Sequence, residues 1–152
     1  MVNPDPRSTV HGQPLTVLFA CVHNAGRSQM AAAIFNGLAD PRLVTGVSAG
    51  TEPADRIHPV VLDAMREVGL DLGSAAPRKL TDALARAASM LVTMGCGEAC
   101  PYVPGLTLVD WQIPDPKDRP LEEVRVIREA IQACVVRLLH AHGWDKPLTV
   151  DR

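Results

Sequence analysis

The sequence predicts an α/β domain built on a doubly wound parallel sheet with helices on both faces. Two short apolar runs rich in strand formers, 15–20 (LTVLFA) and 89–94 (SMLVTM), have the composition of strands buried on both sides. Segments with apolar residues at helical spacing lie between such runs, so strand and helix alternate along the chain. Crossovers of this kind are right-handed and gather ligands at the carboxyl ends of the strands. Cys21 and Cys96 both fall just past an expected strand end, so they can meet at one site.

The first strand, 15–20, stops at Cys21. After a polar loop, Ser28 is placed to cap a helix over 29–38, where Met30, Ala33, Ile34 and Leu38 repeat at helical spacing. A second strand is expected at 43–49, followed by a helix over 59–68 with Pro59 in its first turn and Gly69 as its stop. Thr81 suits the cap of a helix running to Ala88, and 89–94 is the third strand, leading into Gly95 and Cys96. A fourth strand is expected at 106–109. Pro120 opens the longest helix, 121–139, whose apolar stripe comprises Val124, Ile127, Ile131, Cys134, Val135 and Leu138. Cys134 therefore reads as a packed thiol and the helical methionines as core.

A chain of 152 residues is the usual size of one domain. Residues 1–13, with Pro4 and Pro6, are expected to be a flexible segment, 14–142 the folded domain and 143–152 a loose tail. Hydrophobic residues at 47% and charged residues at 21% place the chain among ordinary globular proteins rather than disordered ones. A net charge of -2 without a basic run gives no footprint for nucleic acid or an anionic membrane, and neither partner is expected. The first residues lack the apolar stretch of a secretory signal, and no apolar run is long enough to span a bilayer, so a cytoplasmic protein is expected. In a reducing compartment the cysteines (Cys21, Cys96, Cys100 and Cys134) read as catalysts, metal ligands or packed thiols rather than a disulfide framework.

The candidate site is the loop Cys21, Val22, His23, Asn24, Ala25, Gly26, Arg27, Ser28, which leads into a helix. Successive N–H groups of a tight loop converge on a tetrahedral oxyanion, and the helix N-terminus adds partial positive charge. The same field stabilises a thiolate at Cys21, and Arg27 adds a permanently charged fork able to grip two oxygens. Ser28 can donate a hydrogen bond to that thiolate, and Asn24 can pin the loop. The alternative, a small packed cysteine at a strand end, leaves the rest of the loop unexplained. Nucleotide-binding glycine loops need a Gly and Lys-Ser/Thr spacing that is missing here. His23 belongs to the cradle by position and is assigned no chemistry.

A second feature is Gly95, Cys96, Gly97, Glu98, Ala99, Cys100, Pro101. If the segment is helical, four positions bring both sulfurs to one face, near enough for a disulfide after modest rearrangement, which Gly95 and Gly97 ease. Half of a zinc site is the competing reading, but no second close pair completes four ligands, and His140 and His142 sit too close together on one helix end.

The loop CVHNAGRS with QMAAA, SAGTEP (48–53), the strand VTM at Val92 and Asp115-Pro116 together resemble the low-molecular-weight protein tyrosine phosphatase superfamily, over about 15–139. The resemblance implies a four-stranded parallel sheet, with Cys21 attacking the oxyanion centre, Arg27 binding it and Asp115 as general acid. The Cys96 and Cys100 pair is similar to the arsenate reductase branch. That branch implies a relay in which Cys21 attacks arsenate, Cys96 attacks Cys21 and Cys100 attacks Cys96. Thioredoxin is the implied donor. Relatives that use mycothiol dispense with the pair, so mycothiol is second choice. Phosphate or sulfate are expected mimics of arsenate, and no cofactor or metal is implied; a monomer or weak homodimer is expected. The alternatives are a tyrosine phosphatase, for which Lys117 and Asp118 stand where an aromatic usually follows Asp-Pro, and a non-catalytic sensor binding arsenic or a metal through its cysteines.

Overall fold

The computed structural model describes residues 9–10, 13–101 and 103–147. Strand β1 (Thr9–Val10) pairs antiparallel with the start of β2 (Gln13–Cys21). Three residues of the segment expected to be flexible, Thr9, Val10 and Gln13, are thus in strands; 1–8 and 11–12 lie outside the described residues. Helix α1 (Arg27–Leu38) follows, then β3 (Val44–Gly50), α2 (Pro59–Arg66), α3 (Asp82–Ala87), β4 (Met90–Thr93), β5 (Thr107–Asp110) and α4 (Leu121–His142). The four longer strands are parallel in the order β3, β2, β4, β5, as the apolar runs predict.

Register fixes what the sheet presents at its carboxyl edge. Cys21 pairs with Gly50, Ala20 with Thr93, and Thr93 with Asp110. Because strand residues alternate in direction, Val17, Phe19 and Cys21 belong to one core and Leu18 and Ala20 to the other. The larger core is closed by α1, α2 and α4. The smaller is closed by α3 and by the chain around Cys96 and Cys100. Both Phe and both Trp residues serve the larger core: Phe19 meets Phe35 and Trp111 at 5.3 and 5.8 Å between centroids, and Phe35 meets Trp144 at 6.4 Å.

Three expectations need correction. Ser28 does not cap α1: the helix begins earlier, with Gly26 at its cap, and Ser28 is buried in its first turn. The α1 stripe is also displaced, since Phe35 is buried and Leu38 exposed; α1 is wedged between the sheet and α4, which buries more than one face. The chain after α4 is not loose where it is described. Gly143 closes the helix in the left-handed conformation (φ 67°), Trp144 is 4% exposed, Asp40 N–H donates to the Trp144 carbonyl at 2.7 Å, and Lys146 N–H donates to Leu38. Residues 148–152 lie outside the described residues. Thr81 caps α3 as expected, accepting the Leu84 N–H. No helix among the described residues is long and apolar enough to cross a membrane.

Candidate active site

The loop after β2 is held from outside by its own carbonyls. Those of Cys21, Val22, His23 and Ala25 accept N–H groups of Thr51, Glu52, Ala54 and His58, at 2.8–3.1 Å, and that of Gly26 accepts Met30 N–H. Turning the oxygens toward the 51–58 chain leaves the N–H side of the loop for an anion, at the N-terminus of α1. The conformation is special at two points. Asn24 has φ 49°, and Gly50 lies so close beneath the loop that a Cβ there would sit 2.6 Å from the Val22 carbonyl oxygen and 2.8 Å from Asn24 N. SAGTEP, which carries the resemblance in the sequence without an assigned role, is thus part of the clamp.

Cys21 is 1% exposed and its Sγ is 2.9 Å from Ser28 Oγ. Ser28 Oγ accepts from Asn24 Nδ2 at 2.7 Å, while Asn24 Oδ1 accepts from the Arg78 backbone N–H at 3.0 Å and from Gln29 Nε2 at 3.1 Å. Gln29 also donates to the Ala76 carbonyl at 3.3 Å. Sequence reasoning assigned nothing to Gln29, Ala76 or Arg78. The last two lie about fifty residues away, and a backbone group leaves no residue-type signal.

Arg27 is buried, donates through Nη1 to the Ile113 carbonyl and lies 3.6 Å from an Asp115 carboxylate oxygen. The structure therefore brings Asp115 to the cradle, 40% exposed, with its other oxygen accepting Lys117 N–H at 3.0 Å. Pro116 packs over Gly26, where a Cβ would come within 2.6 Å of the ring. His58 stands beside the same turn, and burial holds its imidazole below the usual value, partly opposed by the Asp115 charge. His23 Nδ1 contacts the Glu52 carbonyl at 3.1 Å, which supports a place in the loop's scaffold.

Cys96 and Cys100 are joined as a disulfide across a single 3-10 turn, Gly97–Ala99, rather than an α-helical one. Cys21 and Cys134 are free thiols. Cys134 sits at the margin of the larger core, half-buried, near Arg137, and among the described residues no three potential ligands cluster for a metal ion. The disulfide borders a groove of about 810 Å³ that also touches Val22, Thr51, Glu52 and Lys79. Cys100 further borders an apolar hollow of about 330 Å³ lined by Leu91, Val103, Leu106 and Leu108. Cys21 faces the larger core and Cys96 the smaller, but Cys21 ends β2 and Cys96 follows just past the end of the adjacent β4, and the groove reaches from the cradle wall to the sulfur pair. Gly95 (φ 90°) lies against the Arg27 guanidinium and has no room for a side chain.

This arrangement has relatives of known name. A protein of Halobacterium salinarum, provisionally named an arsenate reductase, is 36% identical over 131 residues, 84% of this chain and 92% of its own. The glutaredoxin arsenate reductase of Synechocystis sp. is 30% identical over 126 residues, 81% of this chain and 95% of its own. Among solved structures, the thioredoxin-dependent arsenate reductase of Corynebacterium glutamicum superposes with a TM-score of 0.77 and 39% identity over 88% of this chain, which spans 64% of that protein's length. Residues 16–147 match the low molecular weight phosphotyrosine protein phosphatase family, and the chain belongs to that family.

Proposed function

We propose that the protein reduces arsenate to arsenite by a three-cysteine relay and is regenerated by a dithiol protein of the thioredoxin class. The observation that carries this reading is the state of the sulfurs: Cys96 and Cys100 joined at the rim of the groove, Cys21 free beneath the cradle. A hydrolytic phosphatase needs one nucleophilic cysteine; a two-electron reduction needs more thiols. The named relatives support the same reaction, and the Phe and Trp residues are taken up in core ring contacts rather than offered to an aryl substrate.

In the first step the cradle N–H groups and Arg27 hold the arsenate oxygens, and the Cys21 thiolate attacks arsenic. An As–O bond breaks, and protonated Asp115 gives its proton to the departing oxygen, which leaves as water. In the second step the Cys96 thiolate attacks Cys21 Sγ. The S–As bond breaks with its electron pair moving to arsenic, so As(V) becomes As(III), arsenite departs and a Cys21–Cys96 disulfide remains. In the third step Cys100 attacks Cys96 and expels the Cys21 thiolate, leaving the disulfide pair of this structure for the external dithiol. Phosphate and sulfate fit the same cradle but undergo no reduction, so the sulfur trap distinguishes arsenate. Mycothiol is the second choice of donor.

The test is arsenate-dependent NADPH oxidation with thioredoxin and thioredoxin reductase, using wild type and Cys21→Ser, Cys96→Ser and Cys100→Ser. Turnover in wild type and loss in all three variants is expected. Aryl phosphate hydrolysis that survives Cys96→Ser, with no arsenate turnover by wild type, would overturn the reading in favour of a phosphatase; turnover only with mycothiol would replace the donor.

A further inference from the structure

Behind the nucleophile runs a chain of hydrogen bonds whose direction is set at its far end. The Arg78 backbone N–H can only donate and the Ala76 carbonyl can only accept. Asn24 must therefore turn its oxygen to Arg78, at 3.0 Å, and Gln29 must turn its nitrogen to Ala76, at 3.3 Å. The Gln29 nitrogen then also meets Asn24 Oδ1 at 3.1 Å, and Asn24 Nδ2 is left to donate to Ser28 Oγ at 2.7 Å. With an N–H entering its oxygen, the Ser28 hydroxyl turns its hydrogen to Cys21 Sγ, 2.9 Å away. Cys21, Asn24, Ser28 and Gln29 are all buried, so water does not compete for these contacts.

We infer that Gln29 is a positioning residue for the Cys21 thiolate: with the 76–78 strap it holds the Asn24 amide in the one orientation that makes Ser28 a donor to sulfur. Gln29 lies three hydrogen bonds from the sulfur and has no contact with the reacting atoms; its effect passes through Asn24 and Ser28. The strap is itself anchored. The Arg78 carbonyl accepts Gly50 N–H, the Gly50 carbonyl accepts Leu80 N–H, Arg78 Nε donates to the Ser48 carbonyl, and Lys79 Nζ donates to the Thr51 carbonyl at 2.5 Å. The segment that orients the amide is therefore fixed to β3 and to the clamp on the loop. Glutamate at position 29 would set a carboxylate oxygen against Asn24 Oδ1. The Asn24 amide would then be pulled two ways, since the Arg78 N–H still calls for its oxygen, and its Nδ2 would no longer hold Ser28 as a donor to Cys21.

The inference deepens the proposed reaction and rests on Cys21 being its nucleophile, yet its test needs no arsenate. In the Cys134→Ser background, with Cys96 and Cys100 joined, Cys21 is the one remaining thiol of the chain's four cysteines. Its alkylation by iodoacetamide is followed by mass spectrometry as a function of pH. Gln29→Glu should move the profile to the alkaline side and slow alkylation at pH 7 by about tenfold, the size expected for losing one hydrogen bond to a charged group. Gln29→Met, similar in size and apolar, should act in the same direction but less, and serves if the glutamate variant does not fold. In a Ser28→Ala background neither substitution should have any further effect. An unchanged profile in the folded variants, or the same slowing with and without Ser28, would overturn the inference. Wild-type protein that alkylates quickly but turns over no arsenate would sink the proposed reaction and leave the brace standing.

Discussion

The cradle at Cys21 and the segment 95–106 differ in how they are held. Around Cys21 the loop carbonyls are tied to the 51–58 chain and the side chains to the 76–78 strap. Around Cys96 and Cys100, among the described residues, the backbone hydrogen bonds are local turns: Ala99 to Cys96, Cys100 to Gly97 and Leu106 to Val103. Gly95, Gly97 and Gly105 all have positive φ, and hollows flank Cys100 on both sides. The contrast follows from the two tasks. Stabilising an oxyanion and a thiolate requires dipoles that are already in place, whereas passing a disulfide from sulfur to sulfur requires a segment able to move. Gly95 joins the two regions, since it precedes Cys96 while lying against Arg27 of the cradle.

Glycine substitutions are the sharpest way to break this comparison. Gly50→Ala places a Cβ against Val22 and Asn24 backbone, which cannot yield without opening the loop; a loss of about 3 kcal/mol in chemical denaturation is expected, with arsenate turnover abolished. Gly97→Ala meets nothing within 4 Å and suffers only from its φ of 53°, so about 1 kcal/mol is expected, with turnover largely kept. Equal sensitivity at the two positions would erase the distinction. Asp115→Asn should lower kcat by about a hundredfold, within the usual range for general acid catalysis, while phosphate binding measured calorimetrically is kept or tightened because a carboxylate beside Arg27 is neutralised.

The smallest expected effect concerns neither region and serves as a control on the scaffold. Hydrogen bonds from Arg125 and Arg128, which tie α2 to α4, lower the Glu67 carboxyl from its usual 4.5 to about 2. A carboxyl lowered in the folded state stabilises above its ordinary value, and that contribution is lost as pH falls from about 4.5 toward 2. Glu67→Gln should therefore lower Tm at pH 7 and leave progressively less difference from wild type as pH approaches 2. A constant Tm gap across that range would refute the assignment.

The strands and the nucleophile loop are legible in the sequence because buried parallel strands read as unbroken apolar runs, and because a Cys–Arg loop leading into a helix has few other uses. Ser28 illustrates the limit. A serine before a helical pattern is an ordinary cap signal, but the glycine two residues earlier takes that place and frees the hydroxyl for Cys21. Trp144 is another case: proximity to the chain's end suggests a tail, yet the ring is drawn into the core by Phe35. Gln29 carries no role in the sequence reading, because its contact with the strap spans 47 residues and no local pattern announces it.

The claim that a fixed nucleophile hands its sulfur bond to a movable pair is tested most directly by trapping the handover. Reduced Cys100→Ser, in the Cys134→Ser background, is mixed with one equivalent of arsenate and analysed by peptide mass spectrometry and arsenite determination. One equivalent of arsenite is expected, with a Cys21–Cys96 disulfide that persists until an external dithiol is added. Arsenite released without that disulfide, or a disulfide formed equally without arsenate, would contradict it.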